Sequence, residues 1–226
     1  MTSLSTTAIH QPVHHGGIPP YRSWSFGYGG EEDVPALLRR YRLGLTLFIA
    51  AVAMLFVGFS SAYIVRRGIP AYDPATRVYS QIWEPLQLPL RLLVLNTILL
   101  ISASVSMEVA RRTLQSSSGA QKRLSPSLWI RLALSLSTAF LAGQVLAWRS
   151  LWAAGHMIRT GARTAFFYVL TGTHAVHALL GVAALACIAI TVKRSQRHYI
   201  AVDLTTWYLH AMTVLWIYVF VFLLFA

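Results

Sequence analysis

Three histidines and one glutamate stand inside strongly apolar sequence, where an ionisable group is expensive and is the first place to look for chemistry. His174 and His177 lie three apart in TGTHAVHALLG, His210 sits in WYLHAMTVLW, and Glu108 in ISASVSMEVARR. A spacing of three puts His174 and His177 on one face of a helix. Imidazoles grouped in this way can hold zinc, copper or a haem iron. Two histidines on one turn cannot reach opposite faces of a porphyrin, so a bis-histidine haem does not fit them. With His210 a single haem or metal could be built, but no carboxylate or thiolate is expected beside these histidines to complete or orient it. The reading is therefore that this chain carries no catalytic residue, cofactor or metal. The three histidines are expected as buried donors of interhelical hydrogen bonds, to carbonyls, hydroxyls or a neighbouring subunit. Glu108 is the one acid inside an apolar stretch and lies beside Arg111 and Arg112, so a salt bridge at head-group level is expected; lipid or a partner chain is the other use open to it.

No nucleophile stands beside a base, no glycine-rich loop could cradle a phosphate, and no paired carboxylates occur at membrane depth. His10, His14 and His15 are set among Pro and Gly, which reads as a solvated stretch rather than a metal site.

The elements that position these residues follow from composition. Of 226 residues 56% are hydrophobic and 12% charged, half the charged share of an ordinary soluble domain, which indicates a membrane protein. A net charge of +12 would suggest nucleic acid in a soluble chain. Here Lys and Arg fall between apolar runs, as membrane-surface loops require, and nucleic acid is set aside. The single Cys187 excludes an intramolecular disulfide and a cysteine metal cluster. Five stretches reach the roughly 20 residues needed to cross about 30 Å of hydrocarbon: 43–65, 90–110, 128–148, 165–190 and 204–226. The predicted fold is an all-α, polytopic membrane bundle of five transmembrane helices without a soluble domain, residues 39–226, behind a flexible polar tail over 1–38. Trp129, Trp148 and Trp152 are placed like interfacial anchors. Gly58 with Ala62 and Ser102 with Ser106 mark small-residue faces for close packing, within the chain or against a partner. The side of the bundle holding the N-terminus carries twelve Lys and Arg against seven, so the N-terminus is expected in the cytoplasm and the C-terminus outside. A small transporter would need paired Gly/Pro interruptions in its spans, and these spans have none.

The segments GQVLAWRSLWAAG, FFYVLTGTHAVHALLGVAAL and WYLHAMTVLWIYVFVFLL, in that order and spacing, resemble subunit III of the haem-copper respiratory oxidases. The likeness runs back through LQLPLRLLVLNTILLISASVSMEVARR and SSAYIVRRG and covers about Arg39 to Ala226. Five spans resemble the shorter bacterial form. The resemblance implies a non-catalytic subunit of an oxidoreductase that oxidises cytochrome c, or quinol, with oxygen and pumps protons. It implies a bacterial cytoplasmic membrane, subunits I and II as partners, phospholipid between the helices, and haem and copper only in the partner subunits. A quinol-oxidase subunit III and a nitric-oxide reductase accessory protein share the broader family. The positions matching the motif are Asn96, Thr97, Gln144, Thr171, Gly172, His174, His177, Gly181, Trp207, His210 and Trp216; with Glu108, they are expected to be structural and lipid-contacting. Several acids of the family pattern are replaced. Ala147 stands where a glutamate is common, Thr213 where an aspartate is, and Gln87 or Arg91 takes the place of an acid ahead of LNT. These replacements count against a proton-antenna or lipid role that relies on those acids.

Overall fold

A computed structural model describes residues 34–73, 77–80, 89–115, 125–155, 161–191 and 196–225. Residues 1–33 of the expected tail and Gln87 lie outside them, while residues 34–38, expected to be part of that flexible tail, belong to a helix instead. The described residues form helices α1 (Val34–Gly68), α2 (Leu90–Gln115), α3 (Pro126–Ala153), α4 (Ala162–Ile190) and α5 (Gln196–Phe225). All five are long and apolar enough to cross a membrane. Between α1 and α2 the strands β1 (Ala71–Asp73) and β2 (Val78–Ser80) pair antiparallel, with Tyr72 opposite Tyr79. The apolar runs had marked only the hydrocarbon-depth part of each helix. Every helix continues beyond its run, because backbone hydrogen bonding near the head groups still favours helix over exposed amides.

Local sequence sets several ends. Arg66 and Arg67 occupy the last turn of α1, where cations favour the negative end of the helix dipole. Pro126 opens α3, where its missing N–H costs nothing. Gly155 follows α3 at φ +84°, a left-handed conformation that suits glycine, and its N–H donates to the Trp152 carbonyl.

Helices α2, α3, α4 and α5 close a ring, each packing on the next and α5 returning to α2. Helix α1 lies outside it, against α5 and α4. It buries one stripe, Val52, Phe56, Ser60 and Tyr63, at helical spacing. The core contains Phe56, Phe140, Phe167, Leu170 and Trp216, and a second cluster around Met107, Ile130, Leu185 and Leu209 fills the opposite end. Outward faces are as apolar as the core: Met54, Val176, Val214 and Phe225 are all exposed. Such faces would promote aggregation in water but are solvated by acyl chains in a bilayer.

The two small-residue faces separate. Ser106 is buried within the bundle and its hydroxyl donates to the Ser102 carbonyl. Gly58 and Ala62 face outward, and a Cβ on Gly58 would meet nothing within 4 Å. The tightest approach is elsewhere. A Cβ on Gly143 of α3 would run into the Asn96 amide of α2, so a glycine is what lets these helices pack closely.

Candidate functional site

A hydroxyl inside a membrane helix has a ready partner in the carbonyl one turn earlier. Thr97 donates to Leu93, Thr171 to Phe167, and Ser60 to Phe56, at 2.9, 2.7 and 2.9 Å. Each oxygen keeps a lone pair, and an aromatic donor from another helix uses it. Trp216 Nε1 of α5 reaches Thr97 on α2 at 3.0 Å. Trp148 Nε1 of α3 reaches Thr171 on α4 at 3.0 Å. The Tyr218 hydroxyl of α5 reaches Ser60 on α1 at 2.9 Å. The same arrangement thus fastens three helix pairs. Two tyrosines bond carbonyls of a neighbouring helix: Tyr208 of α5 reaches His177 on α4 at 2.8 Å, a fourth pair, and Tyr168 of α4 reaches Trp148 at 3.3 Å across the α3–α4 seam again. A Cβ on Gly181 would press on the Tyr208 ring at 3.2 Å, so that motif glycine leaves room for the tyrosine.

The histidines occupy three different environments. His174 is fully buried, but neither ring nitrogen meets a hydrogen-bond partner, contrary to the expected interhelical bond. Instead its ring is packed by Trp216, Phe140 and Phe56, with centroids at 5.1, 5.7 and 6.5 Å. His177 is only partly buried, and its Nδ1 donates within its own helix, to the Thr173 carbonyl at 2.8 Å. His210, expected buried, has 41% of its side chain exposed. It does make an interhelical bond, between Nδ1 and the Ser104 hydroxyl of α2. Among the described residues no three His, Cys, Asp or Glu side chains converge as metal ligands would.

Asn96 Nδ2 lies 3.4 Å from the Gln144 oxygen, joining α2 to α3 in the core. Gly172 has open space beside it, and Trp207 is 53% exposed on the outer face of α5. Trp148 and Trp152 diverge from their expected common role. Trp148 is spent on Thr171, while Trp152 remains 63% exposed.

Charged residues form a network at one end of the bundle. Glu108 accepts from Arg111 Nε and Nη2, both at 2.8 Å, and from Arg112 Nε at 2.7 Å, while His210 Nε2 is 3.5 Å away. The network includes an acid that sequence reasoning missed. Asp203 sits on α5 with its side chain 2% exposed. It takes a two-pronged bond from Arg42 of α1, 2.9 Å at each oxygen, and a third from Arg111 at 3.3 Å. Glu108 is therefore not the one acid within the spans, and α5 does supply a carboxylate, which faces arginines rather than histidines. The signal was present in Arg197–Asp203, a stretch of helix-compatible sequence just ahead of the apolar run. Gly143, next to the motif glutamine, was also missed, because its importance depends on Asn96 in another helix.

A sequence profile of "Cytochrome c oxidase subunit III" matches residues 27–226. The chain belongs to this family. Among its relatives, the "Cytochrome c oxidase subunit 3" of Synechocystis is 27% identical over 98% of this chain and 87% of the relative. The protein of that name from Thermostichus vulcanus is 28% identical over 80% of this chain and 85% of its own length. That of Balaenoptera musculus is 27% identical over 84% of this chain and 71% of the relative. The resemblance to the oxidase family read from the motifs is thus supported by comparison over nearly the whole chain. Subunit III membership makes the chain a multi-pass membrane component of an oxidase complex.

Proposed function

We propose that this chain is the non-catalytic subunit III of a proton-pumping haem-copper oxidase that passes electrons from cytochrome c to oxygen in aerobic respiration. It packs beside subunit I, with subunit II in the same complex, and binds phospholipid between its helices, while haem and copper reside in the partner subunits. The observation that carries the reading is how the family-motif polar groups are used. Across helix seams Thr97 meets Trp216, Asn96 meets Gln144 and Thr171 meets Trp148, and His174 is enclosed by aromatic rings. These contacts build a rigid support with apolar outer faces, which is what a structural membrane subunit requires. The same reading places the protein in a bacterial cytoplasmic membrane with its N-terminus inside. Arg42, Arg111 and Asp203 bring the start of α1, the end of α2 and the start of α5 to one level, the one with more basic residues by sequence count.

Affinity purification of the tagged chain from native membranes, in mild detergent, tests the proposal. A haem-bearing subunit I and a copper-binding subunit II are expected to co-purify. Recovery of the chain alone would refute it, and recovery with a catalytic subunit but no copper-binding partner would refute cytochrome c as donor.

A further inference from the structure

Most hydroxyls in these helices bond the carbonyl one turn back, and Ser137 does not. On the same helix, α3, Ser135 donates to the Arg131 carbonyl at 3.0 Å and Thr138 to the Leu134 carbonyl at 2.8 Å. Thr206 and Thr213 of α5 do likewise, at 2.7 and 2.8 Å. Ser137 is 2% exposed, yet among the described residues its hydroxyl is the one buried side-chain hydroxyl without a partner. The Ala133 carbonyl stands in the same helical register for it, and is left unused.

Ser137 instead lines a cavity within the ring of four helices. Leu100 of α2, Phe140 of α3, Gly181 of α4, and Tyr208 and Met212 of α5 form the rest of the wall. The cavity leaves about 10 Å³ to the centre of a water molecule, which is room for one. That is too little for an acyl chain or a hydrated ion. Tyr208 brings a second polar atom to the wall. Its hydroxyl donates to the His177 carbonyl at 2.8 Å and keeps lone pairs with which to accept. The motif glycine Gly181 leaves the space in which the tyrosine ring stands.

We propose that this cavity binds one structural water, which accepts from the Ser137 hydroxyl and donates to the Tyr208 hydroxyl oxygen. A hydroxyl buried without a partner bears its full desolvation cost, and a bridging water removes that cost for a small loss of entropy. The bridge joins α3 to α5, which face each other across the ring, and continues through Tyr208 to the backbone of α4. Leu100, Phe140 and Met212 would suit a dry cavity equally well. The Ser137 hydroxyl argues against one, because a dry cavity gives it no reason to leave the Ala133 carbonyl. The site is made by this chain alone and does not rest on the proposed function.

The test is crystallography or electron cryomicroscopy of the full-length chain, with the partner subunits it retains, at a resolution that shows other buried waters. Density for one water is expected at about 2.8 Å from both hydroxyl oxygens. Ser137→Ala is expected to lose that density and to lower the thermal midpoint by about 2 °C. Tyr208→Phe is expected to lower it further, since the bond to His177 is lost as well. The double variant is expected to lose less than the two single losses combined. Absence of the density while other buried waters are seen, or a Ser137 hydroxyl donating to Ala133, would overturn the site. An unchanged or raised midpoint in Ser137→Ala would do so too, because removing an unpartnered hydroxyl relieves a cost. Density bonded to Ser137 but out of reach of Tyr208, or strictly additive losses, would overturn the bridge. Unaltered helical content by circular dichroism serves as the folding control for each variant.

Discussion

Replacing Trp216 by Phe keeps an aromatic ring in the core but removes the hydrogen bond to Thr97. Interhelical hydrogen bonds in membranes contribute modestly, so the expected loss is about 0.5–1 kcal/mol, read as a lowered thermal midpoint in lipid or detergent. A loss that persists in a Thr97→Val background would show that packing, not the bond, is responsible. His174 makes an opposite prediction for two replacements. A buried polar group without a partner is costly, so His174→Leu is expected to be neutral or stabilising, whereas His174→Ala leaves a cavity and costs about 2 kcal/mol or more. Destabilisation of similar size by both would mean that the imidazole makes a bond the packing does not reveal. Among glycines, Gly143→Ala is expected to cost about 1–3 kcal/mol through overpacking against Asn96, while Gly172→Ala costs nothing measurable in the chain alone. At this scale the sequence marked most of the polar positions but not their partners. The pairing of Thr97 with Trp216 spans 119 residues, and no local pattern encodes it.

At the scale of elements, α1 is the helix held by the least. It rests outside the ring and depends on its one buried stripe, the Tyr218–Ser60 bond and the Arg42–Asp203 pair. Asp203→Asn is expected to cost roughly 1.5–3 kcal/mol, the range for hydrogen bonds to charged groups. Arg42→Gln should cost less, because Arg42 is half-exposed and its partner retains Arg111. The double variant is expected to lose less than the two single losses combined, and thermal denaturation of the four proteins closes the cycle. Strict additivity would contradict a shared network. Helix number and depth were legible because a run of about 20 apolar residues has one common solution in a bilayer. Helix neighbours were not, because lipid-facing and core-facing residues are equally apolar and leave no contrast between faces. The hydrophobic run also concealed Asp203, which stands one residue before Leu204, where the run was taken to begin, but well inside the helix that starts at Gln196.

At the scale of the whole molecule, every direction of crossing follows from one assignment. If the basic end is cytoplasmic, a fluorescent-protein fusion after Gln115 is expected to fluoresce, and an alkaline phosphatase fused at the C-terminus to be active. The reverse pattern would invert the orientation. The family was legible before the fold because its motif residues cluster in sequence, whereas the seams they hold are set only once five helices assemble. On the proposed reading, these polar residues support a redox partner and bind no redox group themselves. Stripping this chain from the purified oxidase with detergent, then recording visible spectra of both fractions, tests that claim most directly. All haem absorbance is expected to remain with the catalytic partner, leaving this chain colourless. A Soret band that stays with this chain and disappears on His174→Ala or His210→Ala would contradict it.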